Sequence, residues 1–249
     1  MRWPGAMVTG GIALFTVLCW LWIVPMAGDM YGSMSGLSSW MMTPVWDTPH
    51  LLMLWLMWAV MMAAMMLPSA MPLLMLYDGV ARRRASAGPV FIQVYAMAAG
   101  YLMAWAIFSV LAVVLQRLLS ERLVLSAMME MSSRIAIGAT LLLAGAYQFT
   151  PWKRVCLSQC RSPLAFIMQR WRRGVAGALR MGGEHGAYCL GCCWALMLLL
   201  FVGGVMNLTV IVGLTVLVLL EKLTPVGVHI SRAAGAVMLA FGGWFLFRT

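Results

Sequence analysis

The sequence predicts an all-α, polytopic bundle of transmembrane helices, and three observations lead there. Apolar residues make up 63% of the 249 and charged residues 10%, with a mean hydropathy of +0.93, whereas soluble domains carry about 25% charged residues. Runs such as ALMLLLFVGGVMNLTVIVGLTVLVLL exceed the roughly 20 residues that cross a bilayer as a helix, and they lack the alternation of a membrane β-barrel strand. Inside lipid each backbone amide must be satisfied within its own segment, which leaves the helix.

About seven spans can be drawn in order, near 9–27, 49–76, 89–115, 133–150, 186–204, 207–223 and 229–247. The first resembles a signal peptide in its charged end and apolar core, but no small-x-small cleavage site comes after it, so it is expected to stay as a helix. The second opens after Asp47 and Thr48, either of which can cap it, with His50 beside them. It closes at Asp78, which is placed to pair with the Arg82 to Arg84 run. The sixth ends in LLEK, where Glu221 and Lys222 are expected to form a local pair or to snorkel. Between the fourth and fifth spans, the inner loop over 151–185 contains SPLAFIMQRWRRGVAGALRMGG, 162–183. It alternates apolar and basic positions at helical spacing, the pattern of an interfacial helix beside anionic lipid. No linker, repeat or soluble domain interrupts the chain, so 1–249 reads as one integral membrane domain.

Charge sets the orientation. The loop GDMYGSMSGLSSWMMTPVWD holds two Asp and no Lys or Arg. With the N-terminus inside, the inner side collects Arg2, Arg82 to Arg84, seven basic residues from Lys153 to Arg180, Lys222 and Arg232; the outer side keeps Arg117, Arg122, Arg134 and Arg248. That asymmetry predicts an N-in, C-out topology. It also accounts for the net charge of +10 without a nucleic-acid partner, since no basic patch interleaved with aromatics stands on a soluble domain. Cys156, Cys160 and Cys189 then fall at or near the inner face, where stable structural disulfides are disfavoured.

The stretch HGAYCLGCCW, 185–194, holds three of the six cysteines. At 100° per residue His185, Cys189, Cys192 and Cys193 fall within about 100° of one another, so one helix face offers an imidazole and three thiols. Thiolate and imidazole suit Zn(II), and thiolate with thioether suits Cu(I). His185 and Cys193 stand about 12 Å apart along an intact helix, too far to share one ion. A second segment must contribute, or Gly186 and Gly191 must let the helix unwind. The second segment at hand is TPWKRVCLSQCRSP, with Cys156 and Cys160 four apart on the same side. Met53, Met57, Met61 and Met65 repeat every fourth residue, with Met62 and Met66 on the adjoining flank, and Met34, Met41 and Met42 crowd the outer loop. Such a stripe packs helices, and its thioethers also bind Cu(I) well and Zn(II) poorly, which favours copper.

MMAAMMLPSAMP, QFTPWKRVCLSQCRSP, GEHGAYCLGCCWALMLLLFVGGVMNL and the LLEK ending resemble the domain of unknown function 2182 family, described as metal-binding integral membrane proteins. The resemblance runs from about residue 50 to 245. It implies that Met61, Met62, Met65, Met66, Cys156, Cys160, His185, Cys189, Cys192, Cys193 and Glu221 belong to the family pattern. The leading expectation is a non-enzymatic protein of the bacterial inner membrane that handles Cu(I), with Zn(II) second, in transport or in loading a membrane or soluble metal-accepting partner. Passage through weak sequential sites suits release better than one tight site. Two other readings stay open: a structural subunit of a larger membrane complex, whose FVGGV and AFGGW stretches permit close helix approach, and a membrane thiol oxidoreductase.

Overall fold

A computed structural model describes residues 3–32, 46–84, 89–122, 124–126 and 129–247. Met34, Met41 and Met42 of the outer loop, with Arg2 and Arg248 of the charge pattern, lie outside the described residues. The elements in chain order are α1 (Trp3–Tyr31), α2 (Thr48–Arg83), α3 (Val90–Glu121), α4 (Arg134–Gln148), α5 (Pro151–Arg161), α6 (Pro163–Arg170), α7 (Gly174–Met197), α8 (Leu199–Gly203), α9 (Leu208–Leu223) and α10 (Gly227–Phe247). The fold is all-α, as the composition predicts.

Among the described residues five stretches are long and apolar enough to cross a membrane: Met7–Met30, Thr48–Arg83, Val90–Glu121, Gly174–Gly203 and Gly227–Phe247. The remaining two expected spans are α4 and α9, of 15 and 16 residues. At 1.5 Å per residue they reach about 22–24 Å, short of a hydrocarbon layer about 30 Å thick. Leu14, Leu18, Ile107, Val114, Phe241 and Trp244 are each more than half exposed, giving the bundle an apolar exterior of the kind that faces lipid.

Local chemistry explains how the helices start and pack. Asp47 caps α2, its carboxylate accepting from the His50 amide at 3.0 Å. Pro68 within α2 has no N–H to donate to the Ala64 carbonyl, and Trp20 Nε1 of α1 supplies that hydrogen bond at 3.2 Å. Helices α3 and α7 run parallel with their backbones in contact. A methyl at Gly100 would overlap the Leu179 carbonyl, and one at Gly182 would overlap that of Met97. Helices α4 and α10 run antiparallel, and a Cβ at Gly145 would stand 2.9 Å from the Gly235 carbonyl oxygen.

The segment over 162–183 does not form the single interfacial helix that its periodicity suggests. α6 ends at Arg170, Trp171 turns out of helical geometry, and α7 restarts at Gly174 with a φ of +76°, a conformation that glycine adopts without a Cβ clash. Trp171 is drawn into the bundle, stacking on Tyr77 with ring centroids 5.4 Å apart and lying under the Arg84 guanidinium at 4.8 Å. Gly174 thus opens a long helix, and Cys189 stands near the middle of the Gly174–Gly203 stretch.

Candidate metal centre

His185, Cys189, Cys192 and Cys193 are all buried in α7. The helix continues through Gly186 and Gly191, so unwinding is not how the thiols meet a partner. The second segment is α5. Thr150 caps it, accepting from the Lys153 amide at 3.2 Å, and its face places Cys160 Sγ 3.9 Å from Cys192 Sγ. Cys192 Sγ in turn stands 3.2 Å from Cys193 Sγ. Cys156, half-buried on the same face, packs against α7, since a methyl at Gly191 would lie 2.7 Å from its sulfur. Burial pushes the Cys156 thiol above its ordinary pKa. The Tyr147 hydroxyl donates to the Gly191 carbonyl and fixes α4 to the same turn. All six cysteines are free.

Cys189 is the hub of a polar network that sequence reasoning did not find. Lys222 of α9 donates from Nζ to Cys189 Sγ at 2.8 Å and to Ser69 Oγ at 3.1 Å. The Tyr101 hydroxyl lies 3.0 Å from Cys189 Sγ and donates to the Met66 carbonyl at 3.1 Å. Ser69 Oγ donates to that same carbonyl at 2.8 Å. A buried ammonium requires a compensating anion, and of these two partners of Lys222 the sulfur is the one able to carry negative charge.

Glu221 and Lys222 neither pair with each other nor snorkel, contrary to the expectation from LLEK. Both are buried, and on an α-helix adjacent side chains diverge by about 100°. Glu221 Oε2 accepts from Lys153 Nζ of α5 at 2.7 Å, while Glu221 Oε1 is buried without a hydrogen-bond partner. At the other end of α5, Arg161 donates to the Thr224 and Pro225 carbonyls at 2.9 and 2.8 Å. The helix that presents Cys156 and Cys160 is thus fastened at both ends to α9 and the turn after it.

Met61, Met62, Met65 and Met66 are fully buried in α2. Met66 joins the Cys189 network through its backbone carbonyl, and the other three lie within about one turn and a half of it. His185 packs edge-on to Phe166 at 5.1 Å and beside Tyr101 at 5.9 Å, its Nδ1 buried without a hydrogen-bond partner. Asp78 pairs with Arg82 at 2.7 Å, as its position suggests. Glu184 gathers Arg170, Arg172 and Arg180 at 3.5, 3.1 and 3.3 Å. From that charged collar, Cys189 to Cys193 lie about 7–14 Å farther along α7, deeper than the mouth of the helix where the apolar pattern put them.

No three His, Cys, Asp or Glu side chains among the described residues form a ready chelate. The shortest sulfur contacts are Cys192 with Cys193 and Cys160 with Cys192, and Cys189 neighbours all three. Zn(II) takes a closed tetrahedral set of four donors, which is not preformed among the described residues. Cu(I) is satisfied by linear or trigonal sulfur, and soft thiolate and thioether donors select it.

Residues 55–245 match a protein-family model, PpoB2, described as a copper chaperone. That description names copper and lends zinc no support. No curated protein and no solved structure matches the chain.

Proposed function

This chain belongs to the PpoB2 family of copper chaperones, and from that premise we propose that it is a single-domain protein of the bacterial inner membrane which holds Cu(I) on buried sulfur and passes it to a metal-accepting partner. The observation that carries the reading is the convergence of Cys160 from α5 on Cys192 and Cys193 from α7, with Cys189 one turn away against Lys222. Cys160, Cys189, Cys192 and Cys193 are the holding set. His185 and the half-buried Cys156 flank it, and Met61, Met62, Met65 and Met66 form the thioether approach along α2. Glu221 acts through Lys153 to seat α5 and is a positioning residue.

The chemistry rests on charge. Cu(I) held by a pair of thiolates is a net anion, and a net anion in a low-dielectric interior is costly unless compensated. Lys222 Nζ, 2.8 Å from Cys189 Sγ, supplies the compensation and contributes no ligand of its own. Delivery would proceed by sulfur exchange, with Cys160 and Cys156 the least buried donors from which a partner's thiolate can take the ion. The chain is oriented N-in, C-out, the side richer in Lys and Arg facing the cytoplasm.

The test is a competition titration of detergent-purified protein against a chromophoric Cu(I) chelator. Wild type is expected to bind near-stoichiometric Cu(I), and the combined Cys189→Ser, Cys192→Ser, Cys193→Ser variant to bind it at least about tenfold more weakly, about 1.4 kcal/mol. Equal affinity in the two proteins would sink the assignment.

A further inference from the structure

The same sulfur cluster contains a pair that is set for a different reaction. Cys160 and Cys192 are on separate helices, their sulfurs 3.9 Å apart, so that no peptide geometry opposes their closing to the disulfide length of about 2.05 Å. The closer pair, Cys192 and Cys193, cannot bond as placed. They are consecutive residues of α7, their Cα–Cβ bonds diverge by about 100°, and joining them would break the helical peptide between them. Cys189 neighbours the same thiols, but its sulfur is engaged by Lys222 Nζ at 2.8 Å and the Tyr101 hydroxyl at 3.0 Å, and Cys156 packs on Gly191. Access is also divided: Cys160 is half-buried and Cys192 fully buried, the arrangement of an attacking and a resolving thiol.

We infer that Cys160 and Cys192 form a reversible disulfide by exchange with a small-molecule disulfide such as glutathione disulfide, and that this linkage closes the copper site. Only the closing of the site rests on the copper reading; the linkage itself does not. The Cys160 thiolate attacks one sulfur of glutathione disulfide, expelling one glutathione thiolate and leaving glutathione on Cys160. Cys192, as thiolate, then attacks the Cys160 sulfur and expels the second glutathione. The protein gives up two protons and two electrons, and glutathione disulfide takes them up as two glutathione molecules. The product withdraws two donors from the holding set and ties α5 covalently to α7.

Metal-free, detergent-purified wild type is treated with glutathione disulfide, digested and mapped by mass spectrometry, alongside Cys156→Ser and Cys160→Ser. The expected result is one internal linkage, Cys160 to Cys192, in wild type and in Cys156→Ser, and none in Cys160→Ser. The oxidised wild type is expected to lose at least about tenfold in Cu(I) affinity and to regain it with dithiothreitol. Six free thiols after treatment, or a linkage at another pair, would overturn the inference. Unchanged Cu(I) affinity in protein carrying the mapped linkage would overturn the closing of the site. Failure of the reduced protein to bind copper would refute the copper reading alone, because the linkage is read from peptides and not from metal.

Discussion

Lys222 carries an ammonium to the end of LTVIVGLTVLVLLEKL and buries it against Cys189 and Ser69. Its charge was visible in the sequence, but its target was not, because Cys189 and Ser69 are 33 and 153 residues away and nothing local points to them. Tyr101 and Ser69 gave no signal at all, each being an ordinary residue in an apolar helix. By contrast the Asp47 cap and the Asp78–Arg82 pair were legible, since both interactions lie within about one helical turn. If Lys222 balances the charge of a sulfur-bound cuprous ion, Lys222→Met should weaken Cu(I) binding roughly 10- to 100-fold, the equivalent of a charged hydrogen bond worth about 1.5–3 kcal/mol. Chelator competition reads this directly, and an affinity within twofold of wild type would show that the ammonium serves packing alone.

At the scale of elements, α5 decides whether the thiols of two segments meet. Sequence spacing placed Cys156 and Cys160 on the side of HGAYCLGCCW and so anticipated the meeting, but the fastening by Lys153 and Glu221 spans 68 residues and had no local signature. The start of α7 is hidden in the sequence for a physical reason: GVAGALRMGGE is glycine-rich and charged, which masks a helix that packs backbone to backbone on α3 at Gly100 and Gly182. Breaking one partner of a buried ion pair strands the other charge, at a cost of roughly 3–5 kcal/mol, whereas replacing both by apolar residues is often neutral. Lys153→Met is therefore expected to destabilise the purified protein markedly and loosen its copper, while Lys153→Met combined with Glu221→Leu recovers most of the melting temperature. Thermal unfolding in detergent measures both, and a double variant no better than the single would contradict the role of the pair.

For the whole molecule, composition sufficed to predict a helical bundle because apolar run length reports directly on helices able to cross lipid. It could not separate the five long stretches from α4 and α9, since an apolar run shows how much chain is hydrophobic but not how much of it the helix keeps. The proposed N-in, C-out topology predicts that alkaline phosphatase fused after the final residue is active and that a fluorescent protein at the same place is dark; the reverse pattern would contradict it. The central claim, copper on the α5 and α7 thiols, is tested most directly by elemental mass spectrometry of protein expressed with both copper and zinc, comparing wild type with the combined Cys189→Ser, Cys192→Ser, Cys193→Ser variant. The account predicts near-stoichiometric copper with little zinc in wild type and loss of copper in the folded variant. Folded wild type holding zinc or no metal, or a variant that keeps its copper, would contradict it.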